Sequence, residues 1–320
     1  MFAIGAVIFW SLLTMAGDSS AGRQTPERRA LDYLAREVPK WSVENKCYSC
    51  HNNGDAARAL YAAIRLGEKI PDSSLSATTA WLRQPEGWDH NGGDGPYSDK
   101  KLARLQFAAA LTEAVDAGTV KDRQPLKRAA EYVASSQEQD GSWHVDAAGG
   151  IGSPATHGTS LATYLARRTL AKADADRFRG HIARAEEWLR KSPVNTVLDA
   201  GAILLASAND SSAGAAEQRR RCLEVIRRSQ AADGGWGPYS SSPPEAFDTA
   251  IVVLALVEQS DSKELQPLIQ RGRAFLIGLQ KDDGSWPETT RPSGGASYAQ
   301  RLSTAGWATR ALLATREKSK

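Results

Sequence analysis

Three cysteines, two methionines and five histidines are the whole supply of soft or imidazole ligands in this chain of 320 residues. Three cysteines cannot build the multi-disulfide framework that staples small exported domains, so a hydrophobic core must hold the fold together. Excess charge is missing too: 40 Lys and Arg stand against 37 acids, a net charge of +3. The basic runs Arg219-Arg220-Arg221 and Arg227-Arg228 read as the solvated face of one helix. Nucleic acid is therefore not expected as a partner. Phe2 to Met15 is apolar but shorter than the ~18–20 residues that span a bilayer comfortably, and Ala16, Gly17, Ser19, Ser20 and Ala21 follow it. Residues 1–21 are thus expected to form a signal peptide or, because a basic leader is missing, an uncleaved N-terminal anchor. The rest of the chain is then expected to be exported, periplasmic or extracellular, with membrane contact only through that segment.

What the chain has in abundance is repetition. Gln137-Glu138-Gln139-Asp140-Gly141-Ser142-Trp143, Gln230-Ala231-Ala232-Asp233-Gly234-Gly235-Trp236 and Gln280-Lys281-Asp282-Asp283-Gly284-Ser285-Trp286 share the form Gln-x-x-Asp-Gly-(Ser/Gly)-Trp. Their tryptophans lie 93 and 50 residues apart, and Trp41 and Trp88 continue the series backwards in steps of 47 and 55. A period near 50 is about one helical hairpin with generous loops. Upstream segments (26–36, 73–83, 125–135, 181–190, 216–229, 267–279) are amphipathic, as helices covering a core should be. Downstream segments (55–66, 99–115, 158–170, 199–208, 248–257, 303–314) are apolar around most of their circumference, which marks buried helices. Six half-exposed helices alternating with six buried ones predict an all-α fold, an (α/α)6 toroid of six helical hairpins. An open stack of the same hairpins would leave the inner helices facing water. In each phrase, Gly permits a left-handed turn, Asp bonds its own turn backbone and Trp packs between hairpins.

These phrases, with Phe247-Asp248-Thr249-Ala250 opening a buried helix after Trp236, resemble the repeats of the squalene-cyclase and protein-prenyltransferase superfamily, the squalene-cyclase branch most. The resemblance covers roughly residues 25–316 and implies one toroidal domain. It does not carry over the reactions of the superfamily. The Asp-x-Asp-Asp acid of squalene-type cyclases has no counterpart here, and only one toroid fits the length. Cys222 falls on an outer helix, so a prenyltransferase zinc set is not matched.

One motif carries chemistry of its own. Cys47-Tyr48-Ser49-Cys50-His51 is Cys-x-x-Cys-His, the spacing that attaches a c-type haem through both thiols with the histidine on the iron. A local disulfide or a small metal site are the alternatives. Some bacterial toroids similar to this one place a Cys-x-Ser-Cys-His segment in their first hairpin, which implies a shared role. Since Met1 and Met15 lie in the leader, a distal iron ligand would come from the outer-to-inner loops, which carry His51, His90, His144 and His157 at one rim. His90, on the next hairpin, is the first choice, so His51 and His90 are the metal candidates. His181 begins an outer helix at the other end.

Asp55, Asp99, Asp199 and Asp248 each fall where an inner helix begins. They read either as N-caps or as a ring of acids for proton donation or cation binding. Asp248 and His157 are the catalytic candidates. Tyr61, Tyr164 and Trp307 among Ala and Leu suit either an apolar ligand or core filling. Three functions follow: a haem-bearing toroid in electron transfer, with a redox partner, or in small-ligand binding; an enzyme acting on an isoprenoid or glycan in the cavity; or a non-catalytic recognition module.

Overall fold

Twelve α-helices and no strand make up the computed structural model among the residues it describes, which are 24–91, 100–145, 158–208, 210–259, 263–289 and 297–316. The N-terminal segment 1–21, Asp99 and His157 lie outside the described residues.

The helices pair as six hairpins, each with an outer and then an inner member. They are α1 (Pro26–Asn45) with α2 (Ala57–Arg65), α3 (Ser76–Leu82) with α4 (Lys100–Asp116), and α5 (Gln124–Ser135) with α6 (Gly158–Asp174). The second half holds α7 (Arg179–Lys191) with α8 (Val197–Ser207), α9 (Ala213–Ser229) with α10 (Ala246–Val257), and α11 (Gln266–Leu279) with α12 (Tyr298–Ala314). Each inner helix packs on the next, and α12 returns to α2, so the inner ring closes. Closure explains the composition of the inner helices. In α10, Ala246 to Val253 are all buried, because the ring covers one side and the outer helices the other. Gly306 of α12 marks a close approach where the inner ring closes, since a Cβ there would lie 2.7 Å from the Asp55 carbonyl oxygen.

The repeated phrase is the clip between neighbouring hairpins. In each copy the Gln amide donates to the Gly carbonyl four residues on and to a carbonyl of the next outer helix: Gln137 to His181, Gln230 to Leu268, Gln280 to Pro26. The Asp accepts from the amide two residues ahead. Each Trp indole is fully buried and donates to a carbonyl of its own outer helix at 2.8 Å. The third copy reaches α1, so it fastens the last hairpin to the first. Gly284 sits there at φ +91, and a Cβ would stand 2.2 Å from the Arg29 carbonyl oxygen. Positive φ and a rigid backbone obstacle together predict that Gly284→Ala lowers the unfolding free energy by about 2–3 kcal/mol, measured by denaturant titration.

The first outer helix departs from expectation. It runs past Arg36 to Asn45 with Pro39 inside it, Ser42 Oγ donating to the Pro39 carbonyl, and it ends where Lys46 turns left-handed at φ 52. The basic run is solvated and paired on α9: Arg220 and Arg221 both bond Glu217, while Arg219 caps the carbonyls of Ser207 and Asp210.

Candidate functional site

Two places in the ring gather chemistry. The first is the rim formed by the N-terminal ends of the inner helices. There the chain leaves α1 through Cys47-Tyr48-Ser49-Cys50-His51 and enters a π-helical turn, Cys50–Ala56, which leads into α2. Ser49 Oγ accepts from the amides of His51 and Asn52 and starts that turn. Asn91 holds the Tyr48 backbone on both sides, and the Tyr48 ring stacks on Trp81 at 4.7 Å. Cys47 is buried and receives the Trp41 indole N–H on its sulfur at 3.0 Å. Cys50 is half-buried, and no disulfide joins the two. Cys222 is buried in α9, where burial pushes its thiol up to about 12, which makes it inert.

His51 is buried against α12. Its Nδ1 lies 3.3 Å from Ser303 Oγ, and the Ser303 hydroxyl donates to Asp55 Oδ2 at 2.9 Å. A hydroxyl that gives its own proton to a carboxylate accepts at its lone pair, so this relay places the imidazole proton on Nδ1 and directs the lone pair to Nε2. His90 and His144 are both exposed, His90 at the end of a short 3₁₀ turn and His144 with Nδ1 3.3 Å from Thr159 Oγ1. Among the described residues no group of three or more His, Cys, Asp and Glu gathers as a metal site. His51 and His90 thus stand in unlike surroundings on different hairpins.

The acids are deeper than N-caps. Asp55 sits within the π-helical turn, 1% exposed, accepting from Gln106 at 2.7 Å and paired with Arg58 at 3.5 Å. Asp199 is the third residue of α8; Thr196 is the cap, and the two bond reciprocally as a capping box. Asp248 is likewise third in α10 and wholly buried, behind the cap position of Glu245. The Asp199 carboxylate reaches back to the Thr196 amide, which satisfies a free N–H from inside the helix, while the Glu245 amide ahead of Asp248 donates to the Trp236 carbonyl at 3.0 Å. Of the three, Asp55 and Asp248 are buried and Asp199 is half-buried.

The second place is a cavity of about 260 Å³ toward the C-terminal ends of the inner helices. All six contribute: Arg65 from α2, Glu113 from α4, Tyr164, Arg167 and Arg168 from α6, Leu205 from α8, Leu254 from α10, Trp307 and Arg310 from α12. Helix C-termini carry partial negative charge, so cations collect there. Glu113, 1% exposed, is the hub: its Oε1 accepts from Arg168 at 2.6 Å and from Arg310 at 3.0 Å. Burial alone would raise the Glu113 pKa, but Arg168 and Arg310 outweigh it and hold the carboxyl well below the usual range. The guanidinium groups of Arg58 and Arg310 lie over the Trp307 ring, 4.7 and 4.9 Å from its centre. Burial, then repulsion by Arg310, pulls Arg58 down to about 9. Tyr164 and Trp307 do line the cavity, whereas Tyr61 is buried away from it and bonds Thr79 at 2.8 Å. The arginines were not singled out by sequence reasoning; their signal is charge inside helices that otherwise read as buried.

No protein-family model matches the chain, and no curated protein matches it. Solved structures do. A variant of the type II terpene cyclase MstE from Scytonema, in complex with geranylgeranyl dihydroxybenzoate as substrate, superposes with a TM-score of 0.57 over 90% of this chain and 97% of that one, at 11% identity. Apo MstE gives a TM-score of 0.57 over 90% and 98%, at 11% identity. A polysaccharide lyase gives 0.51 over 92% and 100%, at 14% identity. At these identities the likeness is one of fold: the chain is an α/α toroid that resembles a terpene cyclase and a polysaccharide lyase.

Proposed function

We propose that this toroid binds a small acidic ligand in the cavity at the C-terminal mouth of its inner helices. One observation carries the reading: four arginines, from three of the six inner helices, converge against two acids, Glu113 and Glu258, on a single cavity with Tyr164, Trp307 and a short apolar wall of Leu205 and Leu254. Cavities of this kind, largely preformed with a few convergent polar groups, are the usual small-molecule sites. Arginine suits carboxylates because its planar fork matches them and never loses its proton. Size bounds the ligand. At about 260 Å³ the cavity lies at the small end of ligand pockets, which run to ~300–1,000 Å³. The MstE substrate is also an acid, a prenylated benzoate; only its acidic end would suit the volume here.

The test is a thermal-stability screen with matched pairs, acetate with acetamide and benzoate with benzamide, at fixed ionic strength. Acids are expected to raise the melting temperature saturably and their amides not. Arg65→Gln, at the mouth, is expected to weaken acid binding about tenfold, the worth of one hydrogen bond to a charged group. Equal response to acid and amide, or no response to any acid, would remove the proposal.

A second reading belongs to the opposite rim, and the His51 relay favours it. With the ring proton held on Nδ1 by Ser303 and Asp55, Nε2 is the nitrogen that would ligate the iron of a haem c carried on Cys47 and Cys50. Cys47 would exchange the Trp41 N–H for a thioether. Bound there, the haem would supply one-electron redox chemistry. Protein exported by a host competent in cytochrome c maturation should then show a covalent haem spectrum that Cys47→Ala/Cys50→Ala lacks. A colourless wild type ends this reading and leaves a thiol pair.

A further inference from the structure

The charged groups that line the arginine cavity do not all neutralise one another. Arg168 and Arg310 share Glu113, Arg168 also reaches Asp116, and Arg167 is held by Glu186 of the outer helix α7. Two charged residues of the lining stay outside these pairs. Arg65, the last residue of α2, and Glu258, the C-cap of α10, are both exposed, and neither has an ion pair or a side-chain hydrogen bond among the described residues. A ligand entering from solvent therefore meets one open cation and one open anion.

The helix ends treat these two charges differently. Arg65 stands where the helix dipole favours a cation, whereas the Glu258 carboxylate adds to the partial negative charge of the last carbonyls of α10. That corner of the mouth attracts a positive group. Leu254 lies four residues before Glu258, whose amide donates to the Leu254 carbonyl at 3.2 Å, so the two share one face of α10. Leu205, of the neighbouring helix α8, lines the cavity with them. The carboxylate is thus reached across an apolar patch. Around the ring, α12 separates α2 from α10. With neighbouring helix axes ~8–10 Å apart, two steps around a ring of six span ~14–17 Å, so Arg65 and Glu258 reach the mouth from different sides. The groups they attract belong at opposite ends of a ligand and not on one carbon.

We infer that the cavity takes an ω-amino acid, a short chain whose carboxylate meets Arg65, whose methylenes lie on Leu205 and Leu254, and whose ammonium is held by Glu258. This rests on the acid-binding reading above and names the ligand class within it.

The experiment is calorimetric titration of the full chain at pH 7 and constant ionic strength with 4-aminobutyrate, butyrate, butylamine and glycine. A mouth that merely attracts anions would prefer butyrate, because the zwitterion has no net charge. Instead, 4-aminobutyrate is expected to bind about three- to fivefold more tightly than butyrate, the worth of an ion pair with an exposed carboxylate. Butylamine and glycine are expected to bind more weakly than 4-aminobutyrate, and Glu258→Gln to erase the preference over butyrate. If butyrate binds at least as tightly as 4-aminobutyrate, the inference falls and the acid-binding reading stands. If butylamine matches 4-aminobutyrate, the carboxylate contributes nothing and both fall. If neither butyrate nor 4-aminobutyrate binds, the inference falls, and acetate and benzoate decide the acid-binding reading. If glycine matches 4-aminobutyrate, or Glu258→Gln keeps the preference, the assignment of the two ends to Arg65 and Glu258 is overturned. The comparison among probes uses the wild type, so it holds even where the variant fails to fold.

Discussion

Glu113→Ala is expected to lower the unfolding free energy by about 3–5 kcal/mol, because it strands Arg310 in the interior without its carboxylate, while Arg168 keeps only Asp116 at 2.9 Å. That is a large share of the ~5–15 kcal/mol by which most domains are stable. Glu113→Gln keeps an oxygen for one guanidinium and should cost less. The pair also predicts a pH dependence. The folded-state pKa of Glu113 is depressed, so its stabilisation is present above the ordinary carboxylate value near 4.5 and is lost as pH falls from there toward the folded value. Denaturant titrations from pH 7 down to pH 3 should show wild-type stability dropping in the acid limb, with Glu113→Gln lacking that part of the slope. Parallel slopes would mean that Glu113 is not held ionised by its arginines.

Trp286→Ala is expected to cost about 3–5 kcal/mol as well, through a different route. The indole is fully buried, donates to the Leu276 carbonyl at 2.8 Å, and anchors the one phrase that clips the last hairpin to the first. Trp236→Ala removes an equivalent ring inside the circle, away from that seam. The two variants should therefore lose similar free energy yet differ in where they open. Hydrogen exchange is expected to rise first in α1 and α12 for Trp286→Ala, and in α9 and α10 for Trp236→Ala. Identical exchange maps would contradict the role given to the third phrase as the clasp of the ring.

Most of the fold was legible because it is written locally and repeatedly. Gln, Asp, Gly and Trp of each phrase satisfy one turn and one neighbouring helix, so three copies announce the hairpins, and the apolar circumference of segments such as 248–257 announces which helices lie inside. The site was legible only in part. Cys47, Cys50 and His51 stand together in the sequence, but the relay that orients His51 needs Ser303, 252 residues away. Glu113, Arg168 and Arg310 meet across separations of 55 and 197 residues, because the ring closes, and no local period records that. The acids at helix starts illustrate a finer limit. Asp199 and Asp248 occupy the third helical position and not the cap, and Asp199 shows that the residue type serves there for the same reason it serves as a cap.

Acid binding at the mouth of this toroid is tested most directly by a calorimetric titration of wild type and Arg310→Gln with acetate and acetamide at matched ionic strength. Saturable heat for acetate, none for acetamide, and an affinity at least about tenfold lower in the variant is the predicted result. Acetate heat that is indifferent to Arg310, or no difference between the acid and its amide, would contradict it.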